Sequence, residues 1–278
     1  DDNRNDNPDQ GGASTEDIYA QFIDMDGNLL FNENGIAVSV ENDRQYKPRI
    51  KGDSQGVFVI WSDTRFSNDD LNDIFAQKLT LADGLGWDEE ISVCSEQSGD
   101  QTQARLSSDG QGGAFVTWMD DRNEANFDDI FIQHLNSSGN VSYDDNGIGI
   151  AVSDGLQINP LVRSDGGDGV FVVWGDARTG SLSIYGQNIN TSGNLSMDQN
   201  GREYASGLGG NTFTEHAYRP SSIYLGNNET LLYWVDQRYG IFGQYVFGQK
   251  IFSGWSNQYN DYNLLEYIEN YGTKLTDV

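Results

Sequence analysis

Acidic side chains crowd two loops of the sequence in a pattern suited to a divalent cation. The first loop carries Asp63, Asp69 and Asp70, and the second carries Asp120 and Asp128. Hard cations such as Ca²⁺ take several oxygen ligands at one point, and neighbouring carboxylates supply them. We therefore predict calcium as an optional stabiliser held by these five residues, with no cofactor required. The alternative interpretation is a solvated acidic surface.

A third acidic segment, 24–28, reads Asp-Met-Asp-Gly-Asn and resembles the opening of a calcium loop. A helix–loop–helix calcium site needs Glu at the twelfth position, and that position here is Gly35. The related segments 136–140 and 190–194 keep the Gly-Asn ending and lack the acids. A hairpin turn therefore explains all three segments without a metal ion.

The sequence contains no clear motif of catalytic residues. His134 and His216 are isolated, with no Ser or Cys nucleophile motif beside them, and the S-x-D-x-G-x-T-W box of sialidases is absent. A carboxyl pair for glycoside hydrolysis could come from any of the 43 acidic residues. The sequence therefore assigns no catalytic residue and leaves enzymatic activity open, with a non-catalytic role favoured.

The motif Trp-x-Asp-x-Arg recurs four times at intervals of about 56 to 60 residues, the signature of a repeat architecture. Because each unit carries it, we favour a structural role, in which Trp packs between units while Asp and Arg cap a strand end. The functional alternative is a ring of Asp and Arg that lines a central channel and binds ions or sugars. The copies are Trp61, Asp63 and Arg65; Trp118, Asp120 and Arg122; Trp174, Asp176 and Arg178; and Trp234, Asp236 and Arg238.

A second motif, Asp-Ile-[Tyr/Phe]-x-Gln, keeps the same period, and its fourth copy has Ser183 at the first position. Its residues alternate between two faces, as in a strand. A short apolar run such as Val57–Ile60 precedes each Trp and predicts a buried strand. Four strands in about 56 residues are typical of one blade of a β-propeller. The copies are 17–21, 73–77, 129–133 and 183–187, with a degenerate copy at 245–249.

One repeat also carries a family resemblance. Ser107-Ser108-Asp109-Gly110, the apolar strand 114–116, Asp120-Asp121-Arg122 and Asp129-Ile130-Phe131 together resemble the TolB-like β-propeller repeat. The chain is similar to the longer-period form of that repeat, found in secreted and surface proteins of bacteria. The resemblance covers about residues 17–251 and implies the fold without implying an activity.

We therefore predict an all-β protein, a β-propeller of four-stranded antiparallel blades, with four clear repeats and a partial fifth. Whole blades are expected at about 48–95, 104–153, 160–206 and 220–255. Residues 17–40 supply only the outer two strands of a preceding blade.

The predicted domain organisation has three parts. Residues 1–16 are the remnant of an upstream repeat or a flexible lead-in, residues 17–255 form the propeller repeats, and residues 256–278 form a C-terminal cap or tail with helical spacing. The opening Asp2-x-Arg4 resembles the end of a Trp-x-Asp-x-Arg motif. Either upstream sequence or the C-terminal segment is then expected to complete the first blade.

Composition excludes several classes of function. A formal net charge of −27, from 16 basic and 43 acidic residues, is incompatible with ordinary binding to nucleic-acid phosphates or to anionic membrane surfaces. The single cysteine, Cys94, excludes an internal disulfide and a cysteine-based zinc site. No run of 18 apolar residues predicts a membrane span.

These observations favour an extracellular or cell-surface β-propeller that serves as a binding or structural module. Its partner would be a protein, a glycan or the matrix, and the chain would be part of a longer polypeptide or assembly. The alternative is a propeller-fold glycoside hydrolase or lyase. A regular face, repeated blade by blade, would favour binding, whereas one irregular blade with convergent carboxylates would favour catalysis.

Overall fold

The computed structural model describes residues 16–66, 71–96, 98–123, 127–206, 220–227, 229–236 and 245–252, and every regular element within these residues is a β-strand. The strands form five antiparallel sheets. The first sheet holds β1 (Ile18–Ala20) and β2 (Ile36–Ser39); the second holds β3 (Gln45–Asp53), β4 (Gly56–Asp63) and β5 (Asp73–Thr80), with β6 (Gly84–Leu85) and β7 (Ile91–Cys94) both paired to β5. The third holds β8 (Gln101–Ser108), β9 (Ala114–Asp120), β10 (Asp129–Leu135) and β11 (Ile148–Ala151); the fourth holds β12 (Gln157–Ser164), β13 (Gly169–Asp176), β14 (Ser183–Asn190) and β15 (Arg202–Ala205); and the fifth holds β16 (Ser221–Gly226), β17 (Glu229–Asp236) and β18 (Tyr245–Phe252).

These sheets are the blades of a β-propeller, which confirms the predicted fold class. The first strands of successive blades, β3, β8, β12 and β16, contact one another in that order, so we call them the inner strands. The two-stranded sheet of β1 and β2 corresponds to the outer half of a blade, as the repeat spacing indicates. The predicted C-terminal cap and the segment 1–15 lie outside the described residues.

Three of the inner strands, β3, β8 and β12, begin three residues earlier than the sequence suggests. The pairing with the second strand shifts register between Tyr46 and Arg49, and equivalent shifts interrupt β8 and β12. At each shift a non-glycine residue adopts a positive φ, for example 53° at Lys47. Such a bulge leaves one residue without a ladder partner, which is where a proline such as Pro48 is tolerated.

The hydrophobic core lies between adjacent blades. Trp118 is fully buried and belongs to a cluster with Phe58, Ile60 and Ile74 of the preceding blade. Trp174, Trp61 and Trp234 fall into corresponding clusters with the sheet before each of them. Each blade thus covers an apolar face of its predecessor.

Glycine allows this packing at one repeated position. Gly147 has a φ of +78°, and a Cβ atom there would lie 2.4 Å from Cη2 of Trp118. Gly201 has the same relation to Trp174. No other residue type combines this backbone conformation with so close an approach to the indole.

None of the described residues forms a helix of the length and apolarity that crossing a membrane requires.

Candidate functional site

The Trp-x-Asp-x-Arg motif folds into a compact hydrogen-bonded group at the end of the second strand of a blade. Asp120 accepts four hydrogen bonds. Trp118 donates from Nε1 to Oδ2 at 2.8 Å, and Arg122 donates from its backbone N (3.0 Å) and Nε (2.8 Å) to Oδ1 and from Nη2 to Oδ2 (2.5 Å). A carboxylate has about four acceptor sites, so these donors fill it.

The same four hydrogen bonds surround Asp63 and Asp176. The Arg side chain also lies over the aromatic ring of the next strand, with Cζ of Arg122 4.1 Å from the ring centroid of Phe131. The indole of Trp118 stacks on that ring, with centroids 6.2 Å apart. The Trp and Arg of the first motif thereby pack against the aromatic residue of the Asp-Ile-[Tyr/Phe]-x-Gln motif. This contact explains why the two motifs keep a common period.

This geometry corrects part of the calcium prediction. Asp63 and Asp120 have no room for a cation, because protein donors fill both carboxylates. Within the described parts of the chain, no group of three or more His, Cys, Asp or Glu side chains is arranged to hold a metal ion. Asp69 and Asp70 lie outside the described residues. The calcium site stays a prediction for those two residues and Asp128.

A group of carboxyls gathers beside the filled motif of the third sheet. Asp100, just before β8, accepts hydrogen bonds on Oδ1 from the backbone N (2.8 Å) and Nδ2 (2.7 Å) of Asn72 in the preceding blade. Its own backbone N–H donates to Oδ1 of Asp121 at 2.6 Å. Gly99 makes this approach feasible, since a Cβ there would lie 2.4 Å from the backbone N of Arg122. The carboxylate of Asp121 is thereby anchored to the backbone of Asp100, and the carboxylate of Asp100 is anchored to Asn72.

Asp128, one residue before β10, joins this pair. It is partly buried, and its pKa is raised to about 6. Burial is the largest cause, and the negative charges of Asp121 and Asp100, then those of Asp120 and Asp129, contribute the rest. None of the described residues donates a hydrogen bond to its carboxyl oxygens. Asp128 is therefore a carboxyl that keeps its proton to unusually high pH.

Two further carboxyls, the first residues of β5 and β10, are buried in the same region. The pKa of Asp73 is raised to about 7, with burial as the largest cause; the charges of Asp63 and Asp100 contribute to this shift, and Arg65 opposes it. Burial also raises the pKa of Asp129. We call Asp73, Asp100, Asp121, Asp128 and Asp129 the acidic end.

The solvent-accessible part of the acidic end belongs to one blade. Asp100, Asp121 and Asp128 each directly flank a strand of the third sheet. The equivalent positions of the fourth sheet hold Leu156, Ala177 and Leu182, and those of the second sheet hold Arg44, Thr64 and Asn72. One irregular blade thus carries convergent carboxylates, which is the pattern expected of a catalytic site rather than of a regular binding face.

Sequence reasoning named Asp128 and missed Asp100. The missing signal was strand register: Gln101 pairs with Asp120, so Asp100 stands opposite Asp121. Extending β8 towards its N-terminus by three residues would have found the pair. The lone His134 is buried between Asp109 and Ser142, with ring nitrogens 2.9 and 2.8 Å from their oxygens. It packs inside a blade, away from solvent.

No model of a known protein family matches this chain, and no curated protein matches it. The TolB-like resemblance therefore stays a prediction. Several solved structures do share its fold. They include an α-L-arabinofuranosidase of Fusarium graminearum in complex with arabinobiose (10% identity, TM-score 0.47, covering 76% of this chain and 63% of that one). An α-L-arabinanase of Penicillium chrysogenum in complex with arabinobiose has 13% identity and a TM-score of 0.42, covering 83% of this chain and 67% of that one. An endo-arabinase of Bacteroides thetaiotaomicron has 11% identity and a TM-score of 0.41, covering 74% of this chain and 75% of that one.

This comparison corrects the preferred function. A binding or structural module was expected, whereas the solved structures that resemble the chain are glycosidases. The prediction of a binding module is therefore wrong. At such low identity the likeness concerns the fold alone.

Proposed function

We propose that this chain is a propeller glycoside hydrolase whose reacting groups are the solvent-accessible carboxyls of the acidic end, those of Asp100, Asp121 and Asp128. The observation that carries the proposal is the partly buried Asp128 beside Asp100 and Asp121, in the one blade of the described repeats that gathers such residues. Glycoside hydrolysis requires two carboxyl groups in different environments, one that keeps its proton and one that does not.

Asp128 takes the role of general acid. Its raised pKa leaves a proton available in mildly acidic solution, and it transfers that proton to the glycosidic oxygen as the bond from this oxygen to the anomeric carbon breaks. The hydrogen bonds from Asn72 hold the carboxylate of Asp100 in place. Asp100, or Asp121 beside it, accepts a proton from the water molecule whose oxygen joins the anomeric carbon.

Arabinose-containing glycans are the first substrates to test, since two of the structurally similar enzymes were solved with arabinobiose. The reaction needs no cofactor, because the proton donor and acceptor are both side chains. A glycan is accordingly the proposed partner, and an extracellular or cell-surface location stays a prediction.

The test measures release of reducing ends from arabinan, arabino-oligosaccharides and xylan. Asp128→Asn removes the proton donor with little change of shape, and Asp145→Asn is the matched control because Asp145 is exposed and carries the same charge. General acid catalysis contributes about 10²- to 10⁴-fold, so Asp128→Asn should lose at least about 100-fold in kcat/KM while Asp145→Asn keeps wild-type activity. Hydrolysis of no glycan in the panel, or equal activity of the two variants, contradicts the proposal.

A further inference from the structure

An Asp and a Gln recur with constant separation at successive blade junctions. In each pair the Asp begins or immediately precedes the strand of the Asp-Ile-[Tyr/Phe]-x-Gln motif, and the Gln begins the inner strand of the next blade, 28 positions later. The fourth copy has Ser183 in place of the Asp, and the position aligned with the Gln, three before Pro220, is Ala217. The two residue types are therefore lost together. The pairs are Asp17 and Gln45, Asp73 and Gln101, and Asp129 and Gln157.

The backbone brings the members of each pair together in the same way. The N–H of Gln101 donates to the carbonyl of Asn72 at 3.0 Å, and the N–H of Gln157 donates to the carbonyl of Asp128 at 2.9 Å. The N–H of Gln45 makes the same bond to the carbonyl of Glu16, at 2.6 Å. In every case the acceptor is the residue directly before the Asp, so both side chains start from neighbouring points of one junction.

At the second junction both side chains are buried and each has an acceptor oxygen without a donor. Gln101 is fully buried, and its Nε2 donates to the carbonyls of Gly99 (2.7 Å) and Glu96 (3.1 Å). Those two bonds fix which end of the amide is the nitrogen. Among the described residues nothing donates to Oε1 of Gln101 or to Oδ2 of Asp73, which is 4% exposed. The pair Asp129 and Gln157 repeats this, with Oδ1 and Oε1 unpaired.

Buried acceptors without donors are rare and costly, and two of them at one junction are satisfied by a single proton. We infer that Asp73 is protonated in the folded protein and that its carboxyl O–H donates a hydrogen bond to Oε1 of Gln101, which closes the junction between the second and third sheets. The fourth copy fits this assignment, because alanine at position 217 has no side-chain acceptor for which a protonated carboxyl would be needed.

The charged and titratable groups around Asp73 agree with a neutral carboxyl there. Asp63 on β4 and Asp100 before β8 both disfavour a second negative charge, and Arg65, which favours one, is already bound to Asp63. Cys94 on β7 is neutral over the relevant range, since burial raises the pKa of its thiol to about 12. Burial and these charges together raise the pKa of Asp73 to about 7.

The junction is consequently sensitive to pH. An unfolded Asp loses its proton near pH 4, whereas the folded Asp73 keeps it to about pH 7, so the native state binds one more proton between these values. The extra stability is complete below about pH 4 and is lost as the pH rises towards 7. For this one group the folding equilibrium constant falls by about tenfold per pH unit within that window.

The test has two measurements. The first is a pH titration of the side-chain carboxyl ¹³C resonance of Asp73 in the wild-type protein. The second is urea unfolding of the wild-type protein, Asp73→Asn and Asp145→Asn at pH 5 and pH 8. Asp73→Asn replaces the acid with an amide that can donate to Oε1 of Gln101 at any pH, and Asp145→Asn controls for the loss of one charge. We expect the Asp73 resonance to titrate near pH 7 in the wild-type protein. The stability of Asp73→Asn relative to Asp145→Asn should increase from pH 5 to pH 8, by about 100-fold in the folding equilibrium constant, because the Asp73 carboxyl that the control retains loses its proton over this range.

A double-mutant cycle with Gln101→Met separates the hydrogen bond from burial alone. If the bond exists, Gln101→Met lowers the pKa of Asp73 and reduces the relative gain of Asp73→Asn between pH 5 and pH 8. An Asp73 resonance that titrates near pH 4 overturns the inference, as does an Asp73→Asn variant whose stability relative to its control is the same at pH 5 and pH 8. Loss of glycosidase activity is not a readout here, so a failure of the proposed function leaves this result unaffected.

Discussion

Replacing Trp118 with alanine should bring the protein close to global unfolding. The side chain is fully buried between two blades, and truncation of a buried Trp costs about 3–5 kcal/mol of unfolding free energy. The change also leaves Oδ2 of the buried Asp120 without the Nε1 donor that lies 2.8 Å away, at about 1–3 kcal/mol. The sum, about 4–8 kcal/mol, approaches the whole stability of an average domain.

Equilibrium unfolding in urea measures this loss and separates its two parts. Trp118→Phe keeps most of the ring packing and removes the N–H, so it should lose about 1–3 kcal/mol. Ile23→Ala is the control, because Ile23 is 63% exposed and such changes stay within about 0.5 kcal/mol. A loss below about 1 kcal/mol for Trp118→Ala would refute the packing of this residue between blades.

Three further outcomes follow from the same geometry. Gly147→Ala should lose about 2–4 kcal/mol of unfolding free energy in urea, because it combines a strained φ with a clash against Trp118. Gly110→Ala is the control: its φ is also positive but the space around it is open, so it should lose only about 1–2 kcal/mol, and equal losses would contradict the clash. Asp120→Asn should lose about 3 kcal/mol of unfolding free energy, because it breaks the buried ion pair with Arg122. This loss should be the same in Ca²⁺ as in EDTA, and a loss that appears only with Ca²⁺ would indicate that Asp120 binds the metal. If Asp128 is the general acid, kcat/KM should fall as the pH rises through about 6, because the proton is then lost; a rate that rises through this range contradicts that role.

Periodicity predicted the fold because each blade needs the same inter-blade contacts. The repeated Trp and the alternating strand after it are local patterns, and they located the second and third strands of every blade within the described residues. The early start of β3, β8 and β12 escaped prediction, since it depends on a bulge around Lys47, Gln103 and Asn159 in which a non-glycine residue takes a positive φ. Residue type gives little indication of such a conformation.

The candidate site was only partly predictable, because it depends on contacts between distant segments. Spacing showed that acids crowd the segment from Asp120 to Asp129, and it could not show that Trp118 and Arg122 already fill the Asp120 carboxylate. The position of Asp100 follows from strand register and from its bonds to a neighbouring blade. The calcium prediction weighted the crowding of charges and did not count the donors that satisfy them.

The most direct test of the central claim is the rate of arabinan hydrolysis by the purified protein at pH 5, compared with that of Asp128→Asn. The account predicts measurable release of reducing ends by the wild-type protein, at least about 100-fold loss in Asp128→Asn, and no loss in the Asp145→Asn control. Circular dichroism of both variants should match the wild-type spectrum, which ties the loss to the missing proton. Wild-type activity in Asp128→Asn would contradict the assignment of the acidic end as a glycoside hydrolase site.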